Sequence, residues 1–218
     1  DEVNLMPKTL SNTTVMMNYS IDANGLITGK LRKQQTDYNA MVFRDDVSNL
    51  SEDVYLEKLE NKNNSIEVKE YSRNNEANLA LPIMETYAFS GSNLCELIGG
   101  KIYVKPLLFF TDLKNPFTQE IREYPIDYGF PFLEKYTINI NIPEGYKVEQ
   151  LPAPAVITME ENLGSFKFMT TSSDNSIQLA ITHQINQAIV SSEYYSMLKS
   201  YYQGMIDKQS EKIILTKI

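Results

Sequence analysis

The sequence predicts an α+β fold of mainly antiparallel β-strands, in two β-rich, sandwich-like sub-domains, each with one or two helices packed on a sheet. Three observations support this prediction. Short runs of alternating apolar and polar residues recur, turn-forming residues separate them, and a few stretches show helical spacing. The 218 residues suffice for two domains of roughly 100 residues each. We therefore predict domains at 1–111 and 112–218.

Charge and composition exclude several classes of function. A net charge of −8 opposes contact with phosphate backbones, so nucleic-acid binding is not expected. No apolar run approaches the ~20 residues that span a bilayer. The single cysteine, Cys95, cannot form an internal disulfide, which leaves the compartment open. The chain starts at Asp1 without a signal pattern, and we expect it to be part of a longer or processed protein.

The first half begins with a predicted hairpin. Residues 15–22 alternate apolar and polar side chains, which is the pattern of a strand with one buried face. The turn-forming run 22–25 then leads into a second strand over 26–35. Asp22 and Asn24 match only part of a calcium loop, and a plain turn is the favoured interpretation.

Helical spacing follows in two stretches. A short helix is predicted near 37–47, with a strand as the alternative, and a clearer helix near 51–61, because Ser51 can cap its first turn. Strands are predicted at 66–71, 83–90 and 101–107, separated by loops at 73–78 and 91–100.

The second half is predicted to be a run of strands followed by a helix. Residues 136–142 form the clearest strand, and further strands are predicted at 148–151, 155–159, 165–170 and 176–186. Ser191 can cap a helix near 191–209, and residues 212–218 predict a final strand. The row of tyrosines on that helix is interpreted as core, with a stacking platform for sugars or bases as the alternative.

Few residues could perform chemistry. Cys95 and His183 would be the one cysteine–histidine pair, but Glu96 disfavours a thiolate, and His183 continues an apolar strand row as a half-buried histidine. One cysteine and one histidine cannot build a structural zinc site, and phosphate-loop, dinucleotide-binding and nucleophile-elbow motifs are absent. We assign no catalytic, cofactor-binding or metal-binding residue. A glycosidase-type carboxylate pair stays open.

The most specific motif lies between the two predicted halves. Its positions are Asn115, Pro116, Phe117, Arg122, Pro125 and Asp127, with Gly145 in the turn that follows the next strand. Arg122 and Asp127 are interpreted as a structural ion pair or as two solvated ends at a domain junction, rather than as ligand-binding residues.

With the strand and turn that follow it, this motif resembles the region after the transglutaminase-like core in large exported Bacteroidetes proteins, a domain of unknown function. The resemblance is best over residues 101–218. It implies an exported protein, periplasmic or at the cell surface, in which a papain-like core precedes the region that this chain represents. That core's catalytic residues have no counterpart here, since Cys95 lacks the helix-start context and His183 lies in the wrong half. The motif positions are expected to be structural.

Two hypotheses follow for the function. The first is a non-catalytic accessory module that supports or flanks a protease-like or amide-transferring core absent from this chain, with that core or another protein as partner. The alternative is a carbohydrate- or cell-wall-binding module, indicated by the 14 tyrosines and the acidic, polar composition.

Overall fold

The computed structural model describes Pro7 and residues 9–218. In chain order the strands are β1 (Ser11–Ile21), β2 (Ile27–Gln35), β3 (Glu67–Asn74), β4 (Ile83–Gly91), β5 (Cys95–Ile98), β6 (Lys101–Val104), β7 (Ile126–Asp127), β8 (Phe132–Asn141), β9 (Tyr146–Gln150), β10 (Ala155–Thr158), β11 (Gly164–Ser172), β12 (Ser176–Ile185), β13 (Ile189–Val190) and β14 (Ile213–Lys217). The α-helices are α1 (Asp37–Val47), α2 (Glu52–Lys62) and α3 (Tyr195–Ser210), with 3₁₀-helices at Leu108–Phe110, Glu160–Asn162 and Ser192–Tyr194.

An eight-stranded sheet dominates the molecule, in the order β10-β11-β12-β8-β1-β2-β4-β3. Its neighbours are antiparallel except for the central pair of β1 and β8, which run parallel. A four-stranded sheet, β5-β6-β14-β9, and the short pair of β13 and β7 complete the strands. The predicted α+β class with mainly antiparallel strands is confirmed.

One face of the large sheet forms the core. Alternate residues of β1 from Val15 to Ile21 are buried, and so are Ile138 and Ile140 of β8. The same hydrophobic core includes Ile102 of β6 and residues of α3 and β14. The alternation predicted for both strands therefore marks the face that is packed against the second sheet and α3.

The helices follow the predicted bounds closely. Ser51 accepts a hydrogen bond from the backbone N–H of Val54 at 3.4 Å and so caps α2. Helix α1 buries three residues, whereas α2 has no fully buried residue. At the C-terminal end the Ser191 hydroxyl accepts from Glu193 N at 3.5 Å, and a 3₁₀ turn then leads into α3.

The loop predicted at 91–100 is partly wrong, because residues 95–98 form β5. Gly99 and Gly100 both have positive φ, +60° and +80°, and they connect β5 to β6 as a two-residue hairpin turn. A two-residue turn with both central φ angles positive favours glycine. Cys95 therefore starts a strand rather than lying between strands.

The large sheet draws strands from both predicted halves, because β1 lies beside β8 from Ser11 opposite Phe132 to Ser20 opposite Asn141. The division into domains at 1–111 and 112–218 stays a prediction. Among the described residues, no helix has both the length and the apolar character needed to cross a membrane.

Candidate functional site

The first motif positions attach the middle segment to α3. The side-chain amide of Asn115 donates to the carbonyl of Lys199 at 2.9 Å, and its Oδ1 accepts from Phe117 N at 2.9 Å. Phe117 is buried and makes edge-to-face contacts with Tyr195 and Tyr202. These contacts give Asn115 and Phe117 a packing environment within the fold.

The later motif positions lie nearer the surface. Arg122 Nε donates to the carbonyl of Tyr124 at 3.1 Å, and Asp127 Oδ1 accepts from Gly129 N at 2.7 Å. Within residues 9–218, no salt bridge joins Arg122 to Asp127, and Pro125 is exposed. The structure does not bring these three positions together as a site.

The remaining two motif positions are Pro116 and Gly145. Pro116 is exposed, while Gly145 adopts a φ of +78° and its carbonyl accepts from Ile218 N at 2.9 Å. A positive φ is accessible to glycine at little cost, which accounts for Gly145 at this turn. A purely structural role for all motif positions stays a prediction.

Cys95 has the surroundings of an unreactive thiol. Its Sγ donates to the carbonyl of Gly25 at 3.2 Å, and the side chain is half-buried. Burial raises the pKa of the Cys95 thiol, and the carboxylates of Asp22 and Glu96 raise it further. These effects disfavour the nucleophilic thiolate near neutral pH.

His183 is more buried than the half-buried histidine that we expected, with 5% of the residue exposed. Its Nδ1 lies 3.3 Å from Glu134 Oε2, and its ring meets Phe132 and Tyr202 edge to face. These aromatic neighbours, distant in the sequence, cover the ring. No hydrogen bond in the described chain joins His183 to Cys95.

The best candidate site is a groove of about 550 Å³ between α1, α2 and the packed face of the large sheet. We call it the aromatic groove. Its aromatic lining consists of Phe43, Tyr55, Tyr87, Phe109, Phe110 and Phe130. The groove was not predicted, although the apolar run of residues 107–110 after Pro106 is a signal that could have drawn attention to this segment.

A buried carboxylate organises one wall of the aromatic groove. Glu85 is 3% exposed and accepts hydrogen bonds from the hydroxyls of Tyr55 and Tyr71. Lys33 Nζ lies 3.8 Å from Glu85 Oε2. Desolvation lowers the pKa of Lys33, and the attraction of Glu85 partly offsets that effect. Burial and the Glu85 charge raise the pKa of Tyr55 and Tyr71.

Helix α2 covers the aromatic groove without closing over it. Tyr55 and Leu59 line the groove but remain half-buried. Toward its C-terminal end the helix is also attached to β3, because Glu60 Oε1 accepts from Val68 N at 2.8 Å. Apolar side chains of α2 therefore stay available to an occupant of the groove.

The outward face of the large sheet is a second surface of interest. Its outward side chains on five adjacent strands are Ser165, Lys167, Met169 and Thr171 of β11, Ser176, Gln178, Ala180, Thr182 and Gln184 of β12, Leu133, Lys135, Thr137, Asn139 and Asn141 of β8, Asn12, Thr14, Met16, Asn18 and Ser20 of β1, and Thr28, Lys30, Arg32 and Gln34 of β2. We call these side chains the polar face.

Two observations distinguish the polar face from the rest of the surface. Side chains are joined across strands, because Asn139 Nδ2 donates to Asn18 Oδ1 at 2.7 Å and Asn141 Nδ2 donates to Ser20 Oγ at 3.1 Å. The polar face also contains no carboxylate, although the chain has 28 acidic residues. At its edge, however, Lys30 Nζ lies 2.8 Å from Glu70 Oε2 of β3, and Met16 and Met169 are exposed within the face. The rest of the polar face consists mainly of amides, hydroxyls and cations.

Comparisons with known proteins point to a family. Residues 100–215 match the family model described as a "Domain of Unknown Function with solved-structure structure (DUF3858)". No curated protein matches the chain. The chain is similar to a solved structure described as a "putative protease" from Parabacteroides distasonis, with 18% sequence identity and a TM-score of 0.39. That match covers 44% of this chain and 19% of that chain.

The expected resemblance to a domain of unknown function over residues 101–218 is confirmed by the family match. The transglutaminase-like parent stays a prediction.

Proposed function

The chain belongs to the DUF3858 family of domains of unknown function, and from this premise we propose that it is a non-catalytic interaction module of a larger exported protein. Its partner in this proposal is the transglutaminase-like core of the same parent, or a segment of another protein. The core, the export and the periplasmic or surface location follow from the resemblance and belong to the proposal.

The aromatic groove is the observation that carries this proposal. Its volume of about 550 Å³ lies in the range of pockets that bind drug-sized ligands, and a few side chains have a comparable size. Tyrosine, tryptophan and phenylalanine are enriched at protein interfaces relative to the rest of the surface. Lys58 and Lys62 from α2 and Asp46 from α1 also line the groove, so it offers charged groups of both signs beside the apolar ones.

The absence of catalysis is also part of the proposal. The raised pKa of Cys95 keeps its thiol protonated near neutral pH, and the thiol donates to a backbone carbonyl rather than to a base. A cysteine nucleophile needs an adjacent activating group. These contacts support a role in binding rather than in bond formation.

A matched pair of variants tests the aromatic groove. Val42 of α1 is 45% exposed and lines the groove, whereas Val54 of α2 is 41% exposed and does not. We expect Val42→Glu to weaken binding of the separately purified core at least about tenfold by calorimetry, and Val54→Glu to leave it unchanged. A core that does not bind the wild type, or that binds both variants equally, would refute the proposal.

The polar face favours a second candidate function, binding of cell-wall or other acidic glycan. Amides and hydroxyls match sugar hydroxyl groups. Arg32, Lys135 and Lys167 form no salt bridge within the described residues, and such cations favour acidic sugars. Gln178→Glu would place a carboxylate within the polar face, while Gln150→Glu changes an exposed strand glutamine elsewhere. Glycan arrays and pull-downs with peptidoglycan should show retention that Gln178→Glu alone reduces. Absence of retention, or equal retention by both variants, would argue against it.

A further inference from the structure

A second cavity, of about 330 Å³, lies beside the aromatic groove and shares Phe109 and Phe110 with it. Residues 109–112 form one side, and strands β8 and β12 form the other. We call it the acidic cavity, because its lining includes the carboxyl groups of Asp112 and Glu134.

Aromatic rings surround much of the acidic cavity. Phe110 packs against Tyr136 with ring centroids 5.5 Å apart and against Phe109 at 4.9 Å. Phe132 lines the same cavity and meets the His183 ring at 5.2 Å. The faces of such rings carry negative partial charge and attract cations.

The charges around the acidic cavity do not balance. Partial burial and the nearby Glu134 raise the pKa of Asp112, and His183 and Gln209 offset part of that rise. The charge of Glu134 raises the pKa of Lys33 on β2, but the Lys33 Nζ already lies 3.8 Å from Oε2 of the buried Glu85. The lining of the acidic cavity thus contains two carboxylates and no lysine or arginine, and its one basic side chain, His183, contacts Glu134.

Unsatisfied polar atoms provide an independent observation. The His183 side chain is 7% exposed, and its Nε2 has no hydrogen-bond partner in the described chain. Thr111 Oγ1, in another residue of the cavity lining, is also buried without a partner there. Buried polar atoms are usually hydrogen-bonded. Both atoms are covered by protein, so they show that this wall of the cavity is polar rather than that an occupant touches them.

We propose that the acidic cavity binds an organic cation, namely a primary ammonium group with a short alkyl chain. The aromatic walls hold the alkyl chain and the charge, while Asp112 and Glu134 accept hydrogen bonds from the ammonium group. A metal ion fits less well, because no group of three or more metal-binding side chains among the described residues could hold one. This proposal does not depend on the proposed function.

The ammonium group could belong to a free amine or to a lysine side chain of a protein. Butylamine and Nα-acetyl-lysine methylamide represent these two sources, and 1-butanol is the uncharged control. The chain contains no tryptophan, so tyrosine fluorescence, including that of Tyr136 in the wall, reports on the site. Protein NMR provides a second measurement of binding.

We expect saturable binding of at least one amine and binding of 1-butanol at least about tenfold weaker. Asp112→Asn and Glu134→Gln should each weaken amine binding several-fold, whereas Glu149→Gln, in a surface ion pair with Lys101, should not. Circular dichroism checks that each variant is folded, and the exposed Asp112 provides a variant that avoids the core. Equal binding of butylamine and 1-butanol, no binding of either amine, or amine binding unchanged in folded Asp112→Asn would overturn the proposal.

Discussion

Replacing Glu85 by glutamine should destabilise the protein far more than a comparable change at the surface. Glu85 is 3% exposed, accepts from two tyrosine hydroxyls, and lies 3.8 Å from Lys33 Nζ. Hydrogen bonds to charged groups contribute about 1.5–3 kcal/mol each, and glutamine retains only weaker acceptor capacity. With a poorly compensated lysine left behind, the expected loss in free energy of unfolding is about 2–4 kcal/mol.

Urea unfolding followed by tyrosine fluorescence measures this loss. Glu149→Gln, which removes an exposed ion pair with Lys101, is the matched control and should stay close to wild type. If Glu85→Gln loses no more stability than that control, the structural role assigned to Glu85 is wrong. A double-mutant cycle with Lys33→Met should show that the two losses are not additive.

The direction in which the pKa of Lys33 shifts predicts how the stability of the Glu85→Gln variant changes with pH. Desolvation lowers the pKa of Lys33 in the folded protein, and removing Glu85 takes away the attraction that opposes this effect. Between the folded pKa and the ordinary lysine value of about 10.4, the unfolded chain binds more protons, so stability rises with pH. The deficit of Glu85→Gln relative to wild type should therefore narrow as the pH rises from neutral toward that value.

Three further predictions concern packing and reactivity. Gly29→Ala should destabilise by about 1–3 kcal/mol in thermal unfolding, because an added Cβ would lie 2.6 Å from Phe89 Cζ. Asn115→Ala should cost about 1–2 kcal/mol in urea unfolding, since it removes the hydrogen bond to the Lys199 carbonyl. Cys95 should react with a disulfide reagent more slowly than free cysteine at neutral pH, since its pKa is raised, and urea should abolish the difference.

The elements that could be predicted from the sequence are those with local signals. Ser51 and the spacing after it predicted α2, and alternation predicted the packed sides of β1 and β8. The signal for β5 was also local, because Gly99-Gly100 is a turn sequence for a two-residue hairpin, but it was interpreted as part of a loop.

The aromatic groove and the acidic cavity could not be predicted in the same way. Phe43 and Phe110 meet in one groove only because α1 and the segment after β6 pack on the same sheet face. Similarly, the burial of His183 depends on Phe132 and Tyr202, which are distant in the sequence. Periodicity identifies the buried side of an element but does not identify its neighbour.

The parallel pairing of β1 with β8 has a consequence for the order of folding. Asn18 and Asn139, which join these strands, are 121 residues apart. Closing so long a loop costs chain entropy before any contact is gained, and topologies with many such contacts fold slowly. During synthesis, β1 therefore leaves one backbone edge unpaired until β8 has emerged from the ribosome. In that interval the nascent chain exposes a strand edge that favours aggregation. Chaperone binding would protect the chain most during this interval.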